Sequence, residues 1–309
     1  MMTNLFQIPY SIVKPIYKKT SFHNSVIEDV VDTTLKQAYS HCREITRFYA
    51  KTFYLATRFL PNEKQRGIFA VYALCRFLDN LVDEAEDLIR DRKIELSQID
   101  EKLDEFKFNL AAVYDGKVLN DPILIAYGDT LKKYHIPKEL PFLLIEGVRQ
   151  DLEKTRFANF QELYDYSYKV ASVVGLITSE IFGYSDPKAL SKAVDLGIAM
   201  QLTNILRDVG EDLERDRIYL PQDEMKKFGV TEQDLFNKDI SINFIQLMDY
   251  QISRAQKYYE SAYTGAQLLT KDSRLPVYLA HRNYSRILTK IEDNKYDVFT
   301  KRAYLSQLE

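Results

Sequence analysis

The chain has 309 residues, 46% hydrophobic and 28% charged, which is enough for one or two domains with a sizeable buried core. Its formal net charge of −3 provides no basic field for nucleic acid, so no nucleic-acid partner is expected. Two cysteines and four scattered histidines argue against a disulfide framework and against a zinc site, and they fit a reducing compartment.

The first 35 residues are predicted to be an N-terminal extension, followed by a single domain over residues 36–309. This extension carries lysines but no acidic residue before Glu28, and Pro9 and Pro15 interrupt its apolar residues. It is either an organelle-targeting leader or a disordered or strapping segment. No apolar run reaches the ~18–20 residues of a membrane span. The expected location is the cytoplasm, with peripheral membrane attachment as an option, or an organelle if the leader interpretation holds.

Apolar residues at three- and four-residue intervals predict helices along the rest of the chain. The first runs from Ser25 to Leu60 and ends before Pro61, and the second begins at Asn62, a favourable N-cap, and extends to residue 92. Further helices are predicted at 92–114, 121–134, 138–153, 159–182, 187–213, 241–270, 274–292 and 296–306. Alternating β-branched runs are missing, so the pattern predicts one all-α domain.

An acidic face is predicted on the helix that contains "CRFLDNLVDE", residues 75–84. Asp79 and Asp83 are four residues apart there. At about 100° per residue, Tyr72, Arg76, Asp79 and Asp83 project within about 40° of one another. The other faces of this helix are apolar, so the polar face belongs to a helix that also has to pack.

A second acidic face is predicted around "NILRDVGEDLERDRIYLP", residues 204–221. Gln201, Asn204, Asp208 and Asp212 project within about 80° by the same arithmetic. Like charges four residues apart repel, so each pair either faces water or is neutralised by a divalent cation. Carboxylate and amide oxygens suit Mg²⁺, which usually bridges to phosphates. Two such faces on apolar helices favour the metal interpretation over a solvated surface.

Several stretches together identify a family. They are "YAKTFYLAT" (49–57), "YALCRFLDNLVDE" (72–84), "EGVRQDLEKTRFANFQELYDYSYKVASVVGL" (146–176), "LGIAMQLTNILRDVGEDLERDRIYLPQDE" (196–224) and "YDVFTKRAYLS" (296–306). With them the chain resembles the squalene/phytoene synthases over nearly its whole length after about residue 36. The first, fourth and fifth of these stretches are most similar to those of plant and bacterial phytoene synthases.

The resemblance implies an isoprenoid synthase-type helical bundle with a central apolar cavity. It implies that Mg²⁺, or Mn²⁺ in its place, is held by Asp79, Asp83, Asn204, Asp208 and Asp212. The catalytic residues it implies are Asp79, Asp83, Asp208, Asp212 and Arg76. The substrate-binding positions it implies are Tyr49, Ala50, Lys51, Thr52, Phe53, Tyr72, Arg76, Tyr168, Gln201, Arg207 and Tyr284.

Three of the positions in these stretches need separate comment. Arg207 projects away from the metal face, and an ion pair with a nearby acid is the alternative role. Asn80 replaces the acidic residue that the family usually has after Asp79, which leaves the four-residue pair intact. Thr57 lies one turn beyond Phe53, so we expect it to share the cavity side of that helix.

The implied activity is the Mg²⁺-dependent head-to-head (1–1′) condensation of two geranylgeranyl diphosphates, through prephytoene diphosphate, to phytoene. This reaction is the first committed step of carotenoid biosynthesis and needs no NADPH. One alternative is the same chemistry on two farnesyl diphosphates, giving squalene with NADPH or dehydrosqualene without it. Another is a non-catalytic assembly factor, which the four retained aspartates argue against. The expected partners are prenyl diphosphates and a membrane surface that receives the hydrocarbon.

Overall fold

The computed structural model describes residues 26–90 and 95–305, without the side chains of Thr52 and residues 83–90. The first 25 residues of the predicted N-terminal extension therefore lie outside the described residues, and the boundary after residue 35 stays a prediction. Val26 and Ile27, which precede that boundary, are buried in the hydrophobic core.

The described residues form helices and no β-strand. The longer helices are α1 (Thr33–Tyr49), α2 (Lys51–Thr57), α3 (Asn62–Arg90), α4 (Leu96–Tyr114), α5 (Pro122–Lys133), α6 (Glu139–Glu153), α7 (Phe160–Ser167), α8 (Val173–Phe182), α9 (Lys188–Arg207), α11 (Gln222–Phe228), α13 (Ile242–Ala262) and α15 (Arg274–Asp293). Shorter ones are α10 (Val209–Leu213), α12 (Glu232–Phe236) and α14 (Gly265–Leu268), with a π-helix at Tyr168–Ser172 and a 3₁₀ turn at Lys271–Ser273. The all-α prediction is confirmed. None of the helices in these ranges is long and apolar enough to cross a bilayer.

Side-chain caps determine where several helices begin. The side chains of Asp32, Asp121, Asn159 and Ser241 each accept a hydrogen bond from a backbone N–H in the first turn of α1, α5, α7 and α13. Such caps satisfy N–H groups that have no partner within the helix. The helix starts predicted at 121, 159 and 241 are confirmed to within one position. The start predicted at Ser25 is not, because the described residues leave the helical conformation after residue 28 and α1 begins only at Thr33.

Four predicted helices are interrupted, and three of these interruptions lie at residues of interest; the fourth divides the helix predicted at 241–270 into α13 and α14. The first breaks at Ala50, between α1 and α2, and the helix predicted at 159–182 contains the π-helix. The helix predicted at 187–213 ends at Arg207, because Asp208 adopts φ −102° and ψ 12°. Hydrophobic periodicity continues through all three breaks, so it could not reveal them.

The helix predicted at 296–306 is wrong. Lys295 and Tyr296 adopt positive φ values of 57° and 60°, which end α15 after Asp293. The described residues after them contain no regular helix. Their apolar side chains Val298, Phe299 and Ala303 are buried, and the backbone of Val298 and Phe299 lies against Gly210 of the second acidic segment (residues 204–212). We call residues 296–305 the C-terminal strap.

The buried core consists of two hydrophobic clusters. The first contains Tyr39, Phe69 and Tyr127 and is built mainly by α1 and α3–α6 with α8. The second contains Phe157 and Phe244 and is built mainly by α7, α9, α13 and α15 with the loops around them. The side chain of Tyr168 packs against both clusters. The π-helix that begins at Tyr168 therefore lies where the two halves of the bundle meet.

Two glycines let neighbouring helices approach the π-helix closely. A Cβ on Gly197 would lie 2.5 Å from Ser172 Cα, and one on Gly147 would lie 2.7 Å from Lys169 Cβ. These distances are too short for any side chain, so α9 and α6 contact the π-helix through bare backbone. A π-helix shifts the side chains that follow it relative to a regular helix, and such segments are frequent at functional sites.

Candidate active site

The break between α1 and α2 places two aromatic rings on the polar face of α3. The Arg76 guanidinium lies over the Tyr49 ring, 4.3 Å from its centroid, and its Nη1 is 2.8 Å from Asp79 Oδ2. The Phe53 ring lies 5.8 Å from the ring of Tyr72. Ala50, between the two aromatic residues, has non-helical φ and ψ values of −136° and 61°. Four predicted substrate-binding or catalytic side chains are thus brought together with Asp79.

The carboxylate of Asp208 is paired with two arginines. Arg207 donates from Nε to Oδ1 at 2.7 Å and from Nη2 to Oδ2 at 2.5 Å, and both side chains are almost fully buried. Arg302, from the C-terminal strap, places Nη2 3.1 Å from Asp208 Oδ1 and Nη1 3.0 Å from Glu211 Oε1. The alternative interpretation of Arg207, an ion pair with a nearby acid, describes its position in the structure.

The remaining members of the second acidic face stay aligned despite the helix break at Asp208. The backbone N–H of Asp212 donates to Asp208 O at 2.9 Å, which preserves the four-residue spacing. The Asn204 side-chain nitrogen is 3.5 Å from Gln201 Oε1, a long contact on the same face. The Oδ1 atom of Asn204 is buried and has no hydrogen-bond partner among the described residues.

A further carboxylate, Asp151 of α6, interacts electrostatically with the first acidic segment (residues 75–84) and with the second (residues 204–212). Burial raises its pKa to about 6; hydrogen bonds from Tyr166 and Tyr219 lower that pKa, and the Asp79 carboxylate raises it. Burial also raises the pKa of Asp212, with further contributions from the carboxylates of Asp208 and Asp151. The negative charge of Asp151 is therefore coupled to Asp79 of the first acidic segment and to Asp212 of the second.

The Arg-Ile-Tyr-Leu-Pro segment, residues 217–221, holds Asp151 in this position. Tyr219 donates its hydroxyl to Asp151 Oδ1 at 3.1 Å, and Arg217 donates to the backbone carbonyl of Asp151. The segment is itself fixed to the loop after α6, because the N–H of Ile218 donates to Thr155 O at 2.9 Å. Residues 217–219, which follow the second acidic segment, thus bind α6 and the loop after it.

Two tyrosines also connect the acidic segments. Burial raises the pKa of Tyr72, and the negative charge of Asp79 and the neighbouring Tyr284 add to that effect. Burial raises the pKa of Tyr284 to about 12; Arg207 lowers it and Asp208 raises it. Both tyrosines remain neutral at physiological pH, so their hydroxyl groups can donate hydrogen bonds inside the site.

Some of the predicted site residues are described only in part. The side chains of Asp83 and Thr52 lie outside the described side chains, although their backbones belong to α3 and α2. Ala50 is buried and Lys51 is half-buried beside the aromatic pair. Thr57 is buried, and its hydroxyl donates to Tyr54 O at 2.7 Å, which is a structural role within α2. Cys42 and Cys75 are free and buried.

Three residues with site contacts were missed from the sequence: Asp151, Tyr219 and Arg302. Each is within a stretch that carries the family resemblance, but none belongs to the two polar faces predicted from helical spacing. The contacts that reveal them join elements far apart in the chain, such as Tyr219 to Asp151 across 68 residues. Their position within the motif stretches could have identified these residues, whereas hydrophobic periodicity gave no indication of them.

The donor set fits a hard divalent cation. Asn204 contributes a buried amide oxygen with no partner in the described ranges, and Asp208 and Asp212 follow it at four-residue spacing in the same segment. Among the described side chains no three His, Cys, Asp or Glu residues are grouped closely enough to hold a metal by themselves. Burial raises the pKa of Asp212, and the negative charge of the neighbouring carboxylates, Asp208 first among them, raises it further. Oxygen donors with excess negative charge are what Mg²⁺ and Mn²⁺ bind.

Comparison with known proteins gives a consistent result. The family model described as squalene/phytoene synthase matches residues 46–309. The 15-cis-phytoene synthase of Synechococcus elongatus is 41% identical over 285 residues, covering 88% of this chain and 89% of the relative. Phytoene synthase 1, chloroplastic, of Zea mays is 42% identical over 90% of this chain and 67% of its own length.

Solved structures agree with the fold. A dehydrosqualene synthase crystallised with a ligand superposes with a TM-score of 0.80 at 30% identity, covering 89% of this chain and 93% of the other. A squalene synthase from Alicyclobacillus acidocaldarius superposes with a TM-score of 0.79 at 24% identity, covering 88% and 98% of the two chains. Both are isoprenoid synthase-like helical proteins, as the sequence predicted.

Proposed function

The chain belongs to the squalene/phytoene synthase family of prenyltransferases, and we propose that it joins two geranylgeranyl diphosphates head to head to give phytoene. The assignment of a C20 substrate rests on the sequence identity of about 40% to phytoene synthases over 88% of this chain. The Asp79 carboxylate raises the pKa of Asp151, and Asp151 raises that of Asp212; this electrostatic coupling of the two acidic segments supports a shared site for a cation and a diphosphate.

The proposed metal-holding residues are Asp79, Asp83, Asn204, Asp208 and Asp212. A divalent cation bound there would withdraw charge from a diphosphate leaving group. Arg76 is oriented by its contacts with Asp79 and the Tyr49 ring. A guanidinium fixed in this way can donate two parallel hydrogen bonds to diphosphate oxygens without first losing conformational freedom.

Aromatic side chains next to the acidic segments suit the carbocations that this reaction produces. Phe53 and Tyr72 pack ring against ring, and Tyr168 and Tyr284 are half-buried beside the second cluster. Ring faces stabilise positive charge, and an apolar lining excludes the water that would quench it. We propose that these four rings, with Gln201, form the wall nearest the reacting carbons. Lys51 and the backbone of Ala50 and Thr52 would lie at its edge.

One incubation experiment tests the product. Purified protein with Mg²⁺ receives geranylgeranyl diphosphate or farnesyl diphosphate, each with and without NADPH, and hexane extracts are analysed by mass spectrometry. We expect phytoene from the C20 substrate without NADPH, formed faster than the C15 substrate is consumed. An Asp212→Ala variant of normal circular dichroism serves as the inactive control. A C30 product made only from farnesyl diphosphate would disprove the phytoene proposal and leave the family membership unchanged.

The second candidate function is condensation of two farnesyl diphosphates. The superposition on a dehydrosqualene synthase at 30% identity favours it. An apolar pocket discriminates weakly for each added carbon unit, so some C15 turnover is compatible with either function. The two are separated by the ratio of kcat/KM for the C20 and C15 substrates, measured through diphosphate release.

We also propose that the product leaves the site at a membrane surface. A C40 hydrocarbon is almost insoluble in water, so its release from the protein would limit turnover in buffer alone. Liposomes or mild detergent should then raise kcat and the KM for geranylgeranyl diphosphate by the same factor and leave kcat/KM unchanged, because the release step does not enter kcat/KM. A rate that responds to neither addition would show that release is not the slow step.

A further inference from the structure

The C-terminal strap is fixed across the second acidic segment at its first residues. The backbone N–H of Gly210 donates to Val298 O at 3.2 Å, and a Cβ on Gly210 would lie only 2.7 Å from that oxygen. The Phe299 ring packs 5.1 Å from the ring of Phe244, and Ala303 is buried. The strap therefore approaches α10 closely through a glycine and is held there by apolar contacts.

From this fixed position Arg302 reaches two carboxylates. Its Nη2 lies 3.1 Å from Asp208 Oδ1 and its Nη1 lies 3.0 Å from Glu211 Oε1. The same Oδ1 atom accepts a hydrogen bond from Arg207. Because an ionised carboxylate that is almost fully buried needs positive charge beside it, the two arginines make this acidic segment stable in the substrate-free protein.

The two arginines differ in how easily they can leave. The side chain of Arg207 is 3% exposed, so its departure from Asp208 would leave a buried charge. The side chain of Arg302 is 29% exposed, while that of Asp208 is 4% exposed. An arginine at the rim can rotate its guanidinium into water at a much smaller desolvation cost. Arg302 is thus the exchangeable partner of Asp208, and Arg207 is the permanent one.

We propose that Arg302 is an internal counter-ion that competes with the divalent cation for Asp208 and is displaced when the site loads. This inference rests on the proposed metal role of Asp208. A cation and a guanidinium repel each other, so Arg302 lowers the cation affinity of the empty site. A diphosphate reverses this effect, since its negative charge can be shared by the cation and by the displaced guanidinium. Through Arg302 the strap therefore makes the binding of the cation and the binding of the diphosphate cooperative.

Binding of Mn²⁺ to the substrate-free protein tests the proposal without any turnover. The free-Mn²⁺ signal in electron paramagnetic resonance is titrated against wild type, Arg302→Gln and Lys301→Gln. Lys301 neighbours Arg302 on the strap, pairs with Asp297 at 3.7 Å and provides the matched loss of one positive charge. We expect Arg302→Gln to bind Mn²⁺ about tenfold more tightly, or about 1.4 kcal/mol, and Lys301→Gln to match the wild type.

Added inorganic diphosphate supplies the second readout. It should strengthen Mn²⁺ binding more in the wild type than in Arg302→Gln, because only in the wild type can a displaced guanidinium bind the negative charge of the diphosphate. Arg302→Lys keeps the competing charge and should bind Mn²⁺ as the wild type does. Equal affinity of the Gln and Lys variants, or weaker binding by Arg302→Gln, would overturn the counter-ion role. If Asp208→Ala keeps full Mn²⁺ affinity, the metal site itself is wrong; if it loses that affinity while Arg302→Gln is unchanged, only the counter-ion proposal fails.

Discussion

The buried pair of Arg207 and Asp208 leads to a quantitative prediction about stability. Replacing Arg207 by Met removes the guanidinium and leaves an almost fully buried carboxylate. Loss of one partner of a buried ion pair costs about 3–5 kcal/mol. Arg302 still contacts Asp208 Oδ1 at 3.1 Å and offsets part of this loss. We therefore expect Arg207→Met to lower the free energy of unfolding by about 3 kcal/mol in the presence of EDTA, and Tm by about 5–10 °C.

A double-mutant cycle separates the pair from the general effect of each substitution. Asp208→Leu leaves the Arg207 guanidinium buried without its bidentate partner, so it should also destabilise. The double variant Arg207→Met/Asp208→Leu removes both charges and should regain most of the loss, because apolar residues can replace a buried ion pair at little cost. The expected coupling free energy is about 2 kcal/mol or more, far above the error of additivity for distant sites.

Urea unfolding followed by circular dichroism measures these free energies. Arg149→Met is the control, because Arg149, 30% exposed, pairs with two partly exposed carboxylates, Asp100 at 32% and Asp104 at 67%. Loss of these solvent-exposed pairs should cost about 1 kcal/mol or less. If Arg207→Met stays within about 0.5 kcal/mol of the wild type while the KM for geranylgeranyl diphosphate rises, the reasoning is refuted. Arg207 would then serve the substrate rather than the fold.

Three other substitutions have defined outcomes. Arg76→Lys keeps the positive charge but loses the planar contact over the Tyr49 ring, which lies 4.3 Å away. In a diphosphate-release assay kcat should fall while the circular dichroism spectrum stays unchanged. An unaltered kcat would show that Arg76 does not belong to the site. The pKa of Asp151 is raised to about 6 by burial, so the stability that its proton provides is complete below the unfolded pKa of about 3.9 and is lost as pH rises through 6. Asp151→Asn, which needs no proton, should therefore gain stability relative to the wild type between pH 4 and 7 in EDTA, and a difference in Tm that stays constant across this range would contradict that assignment. Gly210→Ala should lower the unfolding free energy by about 1–3 kcal/mol, because its Cβ would clash with Val298 O at 2.7 Å; a variant as stable as the wild type would show that the strap can move aside.

Much of the candidate site could be predicted from the sequence because its parts are local. The polar face of α3 follows from the spacing of Tyr72, Arg76 and Asp79 within one helix, and the structure keeps these residues together. The all-α fold follows from apolar periodicity, which is a property of neighbouring residues. Helix starts follow from capping residues a few positions away. In each case the interacting groups lie within one or two turns of the chain.

Only the tertiary structure decided which charges meet. Asp208 was predicted as one carboxylate on a continuous helix, yet it ends α9 and pairs with Arg207 beside it and with Arg302 from a strap that had been predicted as helix. Asp151 was not predicted at all, because its hydrogen bond with Tyr219 and its electrostatic effect on Asp212 come from the packing of α6 against other elements. Periodicity determines which face of a helix is polar. The partner across that face depends on how distant elements pack to bury apolar surface while leaving no charge unbalanced, and that is a property of the whole chain.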